Sequence, residues 1–501
     1  MKFNQLIEWS SALCLCAMPL QAQTANEVEQ LRKQVKELQD NFEKQQKLQH
    51  EQIEGLKRQI ELLQLPSAKS PPSPPVANVA KLPADTAVAA PPADLKPRWS
   101  PADGLRIGGA KSYLDISFDA LFAAGASTSP NIGTLQQGGH DPTQRGFTVQ
   151  NLEMTLSGNV DTYFRAQANL VYQLNPQGQS TFEAEEAYLE TLSLPGNFQV
   201  KAGQFFTEFG RLNPTHPHTW TFADAPLVNN RLLGGDGLRN PGVRLSWLLP
   251  TPFYSELFFT VQNSQGETAH SFRNDNDGAP LFGRLTAQRP VVSLSDMLFT
   301  PRYAVSFDLT ENQVLLAGAS AAFGPNGSGP HAGTQIYGLD WFWKWKSPQH
   351  HGGFPFVSWQ TEAMIRRYQA GAFDWDFNRN AALDAGENDL DGNGVPDVLP
   401  RETLRDYGFY SQLAYGFKPG WIAALRGDCV TGATANYERL FGRDPDRTGR
   451  WRVSPNLTWF PSEFSKIRLQ YNYDMRDGIG PDHSLFLQFE FMLGAHGAHK
   501  F

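Results

Sequence analysis

Oxygen-bearing side chains recur at near-alternate positions in one stretch of the chain. Asp389, Asp391, Asn393 and Asp397 are spaced this way, with Gly392 and Gly394 between them. Carboxylate and amide oxygens at such spacing curl round a hard cation, and the glycines permit the tight turn, so a structural calcium ion is the expected ligand. Upstream, Asp374, Asp376, Asn378 and Asn380 form a second oxygen ladder. Counted from Asp374, Arg379 stands where an EF-hand needs glycine and the twelfth position is not glutamate. A helical EF-hand is therefore not expected. Asp275-Asn276-Asp277-Gly278 is a weaker echo of the same pattern.

A second constellation is His216-Pro217-His218, within a stretch that also holds Arg211, Asp224, Arg231, Asp236 and Arg239. Pro217 biases His216 towards extended backbone, so the two imidazoles can point the same way. Two histidines are fewer ligands than most metal sites offer, although Asp224 or Asp236 could join them. Constriction or packing is the favoured role for these residues, and zinc the weaker expectation. His496 and His499, three apart on a strand, would face opposite sides, so zinc there would need a bend. No serine or histidine sits in a recognisable nucleophile motif, and no enzymatic activity is expected.

The elements that must carry these groups show a period of two. Trp451, Val453, Leu457 and Trp459 alternate with Arg450, Arg452, Ser454, Asn456 and Thr458. Ile467, Leu469, Tyr471, Tyr473 and Met475 oppose Lys466, Arg468, Gln470, Asn472, Asp474 and Arg476. Such strands have one apolar and one polar face. In a membrane barrel the apolar face meets lipid and the polar face meets the lumen. The polar parity then nominates pore-lining acids early in the chain, namely Asp115, Asp119, Glu153, Glu186, Glu190 and Glu256. Late in the chain it nominates the bases Arg426, Arg450, Arg452, Lys466, Arg468 and Arg476. Opposed acids and bases would set a field across the lumen, and the late bases would be screened by water or passing anions.

About sixteen strands are expected between Leu105 and Phe501. Short turn-forming segments separate them at Gly158-Asn159, Pro195-Gly196-Asn197, Pro250-Thr251-Pro252, Glu311-Asn312, Ser347 to Gly353, Pro419-Gly420 and Pro461-Ser462-Glu463. Between these lie long connections, notably Thr207 to Arg239, Asn263 to Leu298 and Ala370 to Arg401. Short inner turns alternating with long outer loops are the asymmetry of an outer-membrane barrel, and an even strand count leaves both ends in the periplasm. Met1 to Ala22 reads as a secretory signal. If it is cleaved, Cys429 alone remains of three cysteines, which excludes an intrachain disulfide. Residues 26–64 carry a coiled-coil pattern with a four-residue stutter between Phe42 and Ile53. Residues 65–100 are a Pro/Ala-rich linker, expected to be extended in the periplasm. A net charge of −8 argues against non-specific binding of nucleic acid.

The alternating aromatic strand 485–493 followed by a terminal Phe501 resembles the ending of bacterial outer-membrane barrels. Taken together, signal, coiled coil, linker and barrel resemble the phosphate-selective and related porin-like proteins. The segments Gly203 to Asn213 and Gly494 to Phe501 also look like outer-membrane proteins described as zinc-regulated receptors. Asp389 to Asp397 resembles the calcium repeats of thrombospondin-type and adhesin-type modules. The first resemblance implies an all-β membrane barrel in outer-membrane lipid, passing small polar or ionic solutes passively. It implies a homo-oligomer, a trimer by the habit of such barrels, whose third outer loop folds inward as a constriction carrying Arg211, His216, His218, Arg231 and Arg239. The periplasmic extension would reach towards peptidoglycan. An envelope tether and a metal-related receptor are the alternatives, although the chain lacks the plug domain and length of an energised receptor.

Overall fold

The computed structural model describes residues 105–109, 112–174 and 178–494. The expected signal, coiled coil and linker, together with His496, His499 and Phe501, lie outside the described residues.

Residue-by-residue alternation produces the strands expected of it. They are β1 (Tyr113–Ser127), β2 (Gly146–Asn159), β3 (Phe164–Leu174), β4 (Ser180–Thr191), β5 (Phe198–Phe206), β6 (Arg239–Leu248), β7 (Tyr254–Asn263) and β8 (Met297–Thr310). The second half holds β9 (Gln313–Pro325), β10 (Gly333–His351), β11 (Phe354–Ala370), β12 (Glu402–Lys418), β13 (Trp421–Gly432), β14 (Arg450–Ser462), β15 (Ser465–Arg476) and β16 (Gly480–Leu493). Each pairs antiparallel with its sequence neighbour, and β16 returns to β1 with Phe489 opposite Phe122 and Leu493 opposite Phe118. The result is a closed sixteen-stranded barrel, which leaves no open sheet edge. A short strand, Leu105–Gly108, pairs with the part of β1 that β16 does not reach.

The barrel is inside out relative to a soluble protein. Leu457, Leu469 and Leu487 lie side by side on β14, β15 and β16, and each is exposed on the outer wall. Their strand neighbours Asn456, Arg468 and Gln488 are buried inward. Moving each such leucine from water into lipid is worth about 1.5–3 kcal/mol. Near the short-turn end Trp421 stacks on Trp459 with ring centroids 5.8 Å apart. Aromatic rings at that level suit a membrane–water interface.

Seven short turns and eight further connections join the strands, as the turn residues predict. Three boundaries differ, the first because Pro461 and Ser462 extend β14 and leave Glu463 and Phe464 as the turn. Gly158 and Asn159 belong to β2, and the turn is at 160–163 because Asp161 caps the backbone N–H groups of Tyr163 and Phe164. Ladder pairing carries β10 on to His351, which leaves Gly352 and Gly353 as the turn.

The upper interior is filled by chain from the long-loop end. The helix α1 (Leu227–Leu233) packs Leu227, Val228, Leu232 and Leu233 against Ile336, Met364 and Val430 of the wall. Phe209, Phe272 and Tyr410 complete this apolar core. Gly338 is the wall residue that lets Phe209 approach, since a Cβ there would sit 2.8 Å from its ring.

Candidate functional site: the third loop inside the barrel

The connection between β5 and β6, residues 207–238, turns into the barrel as expected of a constriction loop. Its anchor is Asp224, which is fully buried. The Asp224 carboxylate accepts hydrogen bonds from Gln136, Arg426, Arg452, Gln470 and Asn472 at 2.7–2.8 Å. Burial alone would raise the pKa of Asp224, but the two guanidiniums hold it well below the ordinary carboxylate value. The loop backbone is tied down as well. Asp428 receives the N–H of Leu227 at the start of α1, Lys466 donates to His218 O, and Arg468 donates to Trp220 O.

Asp115, Asp119, Glu153, Arg426, Arg450, Arg452, Lys466 and Arg468 all lie on the inward face and are buried. Glu256 and Arg476 share that face but are only partly buried. Glu190 also points inward and pairs with Arg165 at 3.0 Å, and Asp115 pairs with Arg106 at 2.7 Å. The expectation that water or anions alone screen the late bases does not hold. Arg450 and Arg452 both grip Asp474, and Arg452 and Arg426 share Asp224. Lys466 pairs with Glu490 across β15 and β16. Protein carboxylates supply the counter-charge because a buried unpaired cation is costly. Arg468 differs, for its hydrogen bonds go to the neutral acceptors Thr458 Oγ1, Gln488 Oε1 and Trp220 O.

Below the loop, towards the short turns, is a chamber of about 590 Å³. Arg211, Lys344, Lys466, Arg468, His216 and His218 line it, and no carboxylate side chain does among the described residues. Aromatic rings complete the wall, with Arg211 stacked 4.1 Å over Phe342 and Lys344 4.9 Å over Phe356. The remaining expected constriction residues stand higher. Arg231 on α1 donates to Thr448 O, and Arg239, the first residue of β6, pairs with Glu183.

His216 and His218 stack at 5.9 Å, as Pro217 between them allows. Asp224 does not join them, being occupied by arginines. Glu153, Glu185 and Glu186 do. Burial disfavours a charged His216, yet Glu153 and its neighbours drive its pKa well above the ordinary imidazole value.

The outer loop 371–401 holds the oxygen ladders. Asp389 receives backbone N–H groups from Gly392, Asn393 and Gly394, and Asp397 receives that of Leu390. One oxygen each from Asp389, Asp391 and Asp397 lie within 4.8 Å of one another. The upstream ladder needs a correction of frame. Asp374 lies in a small ribbon paired with Val398 and caps the N–H of Asp376. Counting instead from Asp376 puts Asn378, Asn380, Asp384 and Glu387 at positions three, five, nine and twelve of an EF-hand loop. Glu387 folds back to accept from Phe377 N and Asp384 N. Ala381 occupies the sixth position with φ +55°, where glycine is usual.

No family model matches the sequence. A protein of Aquifex aeolicus, described as uncharacterized, is 30% identical over 387 residues, which cover 73% of each chain. The chain belongs to that protein's family. Similar solved structures include the outer membrane channel DcaP of Acinetobacter baumannii, at 13% identity and a TM-score of 0.49, covering 78% of this chain and all of that one. Others are Salmonella typhi OmpF, at 10% and 0.43 over 78% of this chain and all of that one, and Pseudomonas putida OprB, at 10% and 0.44 over 76% and 94%.

Alternation conceals one residue of the histidine cluster. Parity places Glu186 and Glu190 inward and therefore Glu185 outward. A β-bulge between β3 and β4, where Asn169 faces Glu186 and Leu170 faces Ala184, turns Glu185 inward as well. Glu185 is fully buried beside the histidines. Bulges re-aim side chains in this way, and strand periodicity carries no signal for them.

Proposed function

We propose that the protein is an outer-membrane porin-like channel through which small organic anions diffuse passively. The observation that carries this reading is the chamber beneath the third loop, where Arg211, Lys344 and Arg468 face the cavity together with aromatic rings and no carboxylate side chain lines it among the described residues. Low-dielectric walls of one sign concentrate the opposite ion, and the rings suit a solute with an apolar body. The apolar outer wall supports residence in outer-membrane lipid, and trimerisation and a periplasmic extension belong to the same reading.

Planar-bilayer recording in a salt gradient tests it. The wild type should prefer anions at low salt and lose most of that preference at 1 M, where the Debye length falls to about 3 Å. Arg211→Gln, Lys344→Gln and Arg468→Gln combined should move the reversal potential towards cation preference. Unchanged selectivity in an open channel would overturn the anion assignment. A protein electrically silent at every salt concentration would favour the envelope tether instead.

We also propose that loop 371–401 binds calcium through Asp376, Asn378, Asn380, Asp384 and Glu387 in one turn and Asp389, Asp391, Asn393 and Asp397 in the next. Asp376→Ala with Asp389→Ala should abolish the calcium-binding heat of the full-length protein and loosen this loop, leaving the barrel folded. Calorimetry with no calcium heat in the wild type would rule this out.

A further inference from the structure

We infer that His216, Glu153 and Glu185 form a site for a divalent transition ion of the zinc class, which fastens the third loop to the barrel wall. Three independent features of the geometry point there. First, His216 Nδ1 lies 3.3 Å from Glu153 Oε2 and 3.2 Å from Glu185 Oε2. Bonds of about 2.0–2.1 Å from zinc to nitrogen and oxygen give a tetrahedral edge of about 3.3–3.4 Å, so these atoms already stand at ligand separation. His218 Nδ1 lies 3.5 Å from the same Glu153 oxygen but is not one of the three converging ligand atoms, so the fourth position falls to solvent.

Second, the surrounding contacts set the tautomers that metal binding requires. His216 Nε2 is 3.0 Å from Glu186 Oε2 and keeps its N–H there, so an ion at Nδ1 displaces only the proton that this nitrogen holds towards the two carboxylates. On the other side of Glu185, His140 Nε2 lies 2.8 Å from Oε1, while His140 Nδ1 is 3.0 Å from Gln173 Nε2. A ligating histidine whose second nitrogen is held by a carboxylate, and a ligating carboxylate held by a further group, are the supports that metal sites use.

Third, the charges are unbalanced. Asp119 stands directly across the β1–β2 ladder from Glu153, is fully buried, and neither of its carboxylate oxygens accepts a hydrogen bond. Lys466, the cation next to it, is engaged by Glu490. Asp119, Glu153, Glu185 and Glu186 thus bring four carboxylates against the three imidazoles of His140, His216 and His218, so the carboxylates outnumber the cations that these rings can supply. A divalent ion supplies the missing positive charge at the point where the ligand atoms converge. Imidazole nitrogen with carboxylate oxygen selects a zinc-class ion over calcium.

The experiment uses full-length protein folded in detergent, with excess calcium present to occupy hard-cation loops. Cobalt(II) serves as the spectroscopic probe and zinc as competitor. The wild type should take up one cobalt with the intense visible bands of a tetrahedral site, and zinc should bleach them. His216→Ala should remove the bands. Glu186→Ala, which removes the support of His216 Nε2 and the acceptor for the Phe206 N–H but no ligand atom, should weaken zinc binding about 10- to 100-fold. Heat-modifiable migration identifies folded barrel in each variant. A folded wild type with no cobalt bands, or folded His216→Ala and Glu186→Ala variants that bind as the wild type does, would overturn the site. These readouts need no ion current, so they stand or fall separately from the channel reading.

Discussion

Asp224→Ala is expected to release the third loop from the wall. The substitution takes one carboxylate from two buried guanidiniums and leaves Gln136, Gln470 and Asn472 each short of an acceptor. Breaking a buried pair by removing one partner costs about 3–5 kcal/mol. Arg426 keeps Asp428 and Arg452 keeps Asp474, so the lower end of that range applies. About 3 kcal/mol raises the undocked fraction of the loop by more than a hundredfold. Hydrogen exchange over residues 209–225 should accelerate accordingly, and single-channel records should become noisier. Asp224→Asn keeps the side-chain volume and should fall between the variant and the wild type. Unchanged protection in the alanine variant would show that the loop is held by the apolar packing of α1 alone.

The second large effect is a response to acid. His270, in the connection between β7 and β8, packs so closely that a Cβ on Gly234 would lie 3.0 Å from its own. Burial, assisted by the charge of Arg366, lowers its pKa from 6.5 to about 4. The unfolded segment therefore binds a proton at higher pH than the folded one. The stabilising contribution is complete above pH 6.5 and disappears as pH falls through the window from 6.5 to 4. A gap of that size corresponds to something approaching 3 kcal/mol at the acid end. Hydrogen exchange across residues 264–275 measured from pH 7 to 4, corrected for intrinsic rates, should show the loss. His270→Phe should flatten this part of the profile, leaving whatever the neighbouring carboxylates contribute. An identical pH profile in the phenylalanine variant would remove His270 from the account.

Much of the barrel was legible because its rule is local. Trp451, Val453 and Leu457 face outward and Arg450, Arg452 and Asn456 inward, as a period of two requires. Pro, Gly and Asn at the short turns marked the hairpins for reasons of backbone geometry that act within four residues. Pairings between loop and wall follow no such rule. Asp224 meets Gln136 at 88 positions and its other four donors at more than 200, so the five were invisible even though each one could be named as polar. Glu185 was hidden by one extra residue in a strand, and Glu387 by a count begun two residues early. In each case the residue type was readable, and its partners were not.

The third loop's distant attachments also bear on how the chain assembles. Residues 209–233 meet earlier chain at Gln136, Glu153 and Glu185, but the apolar wall against α1 and most donors to Asp224 lie on β10 to β15, which follow them in the chain. Contacts this far apart form late, because the intervening chain must first be brought together. Until β10 to β13 arrive, Leu227, Val228, Leu232 and Leu233 lack Ile336, Met364, Tyr410 and Val430 of their apolar wall, and exposed apolar chain of this kind invites aggregation. Barrel closure and loop docking are thus one event, and a chain halted before β13 is left with both a sheet edge and an uncovered greasy helix for chaperones or proteases to find.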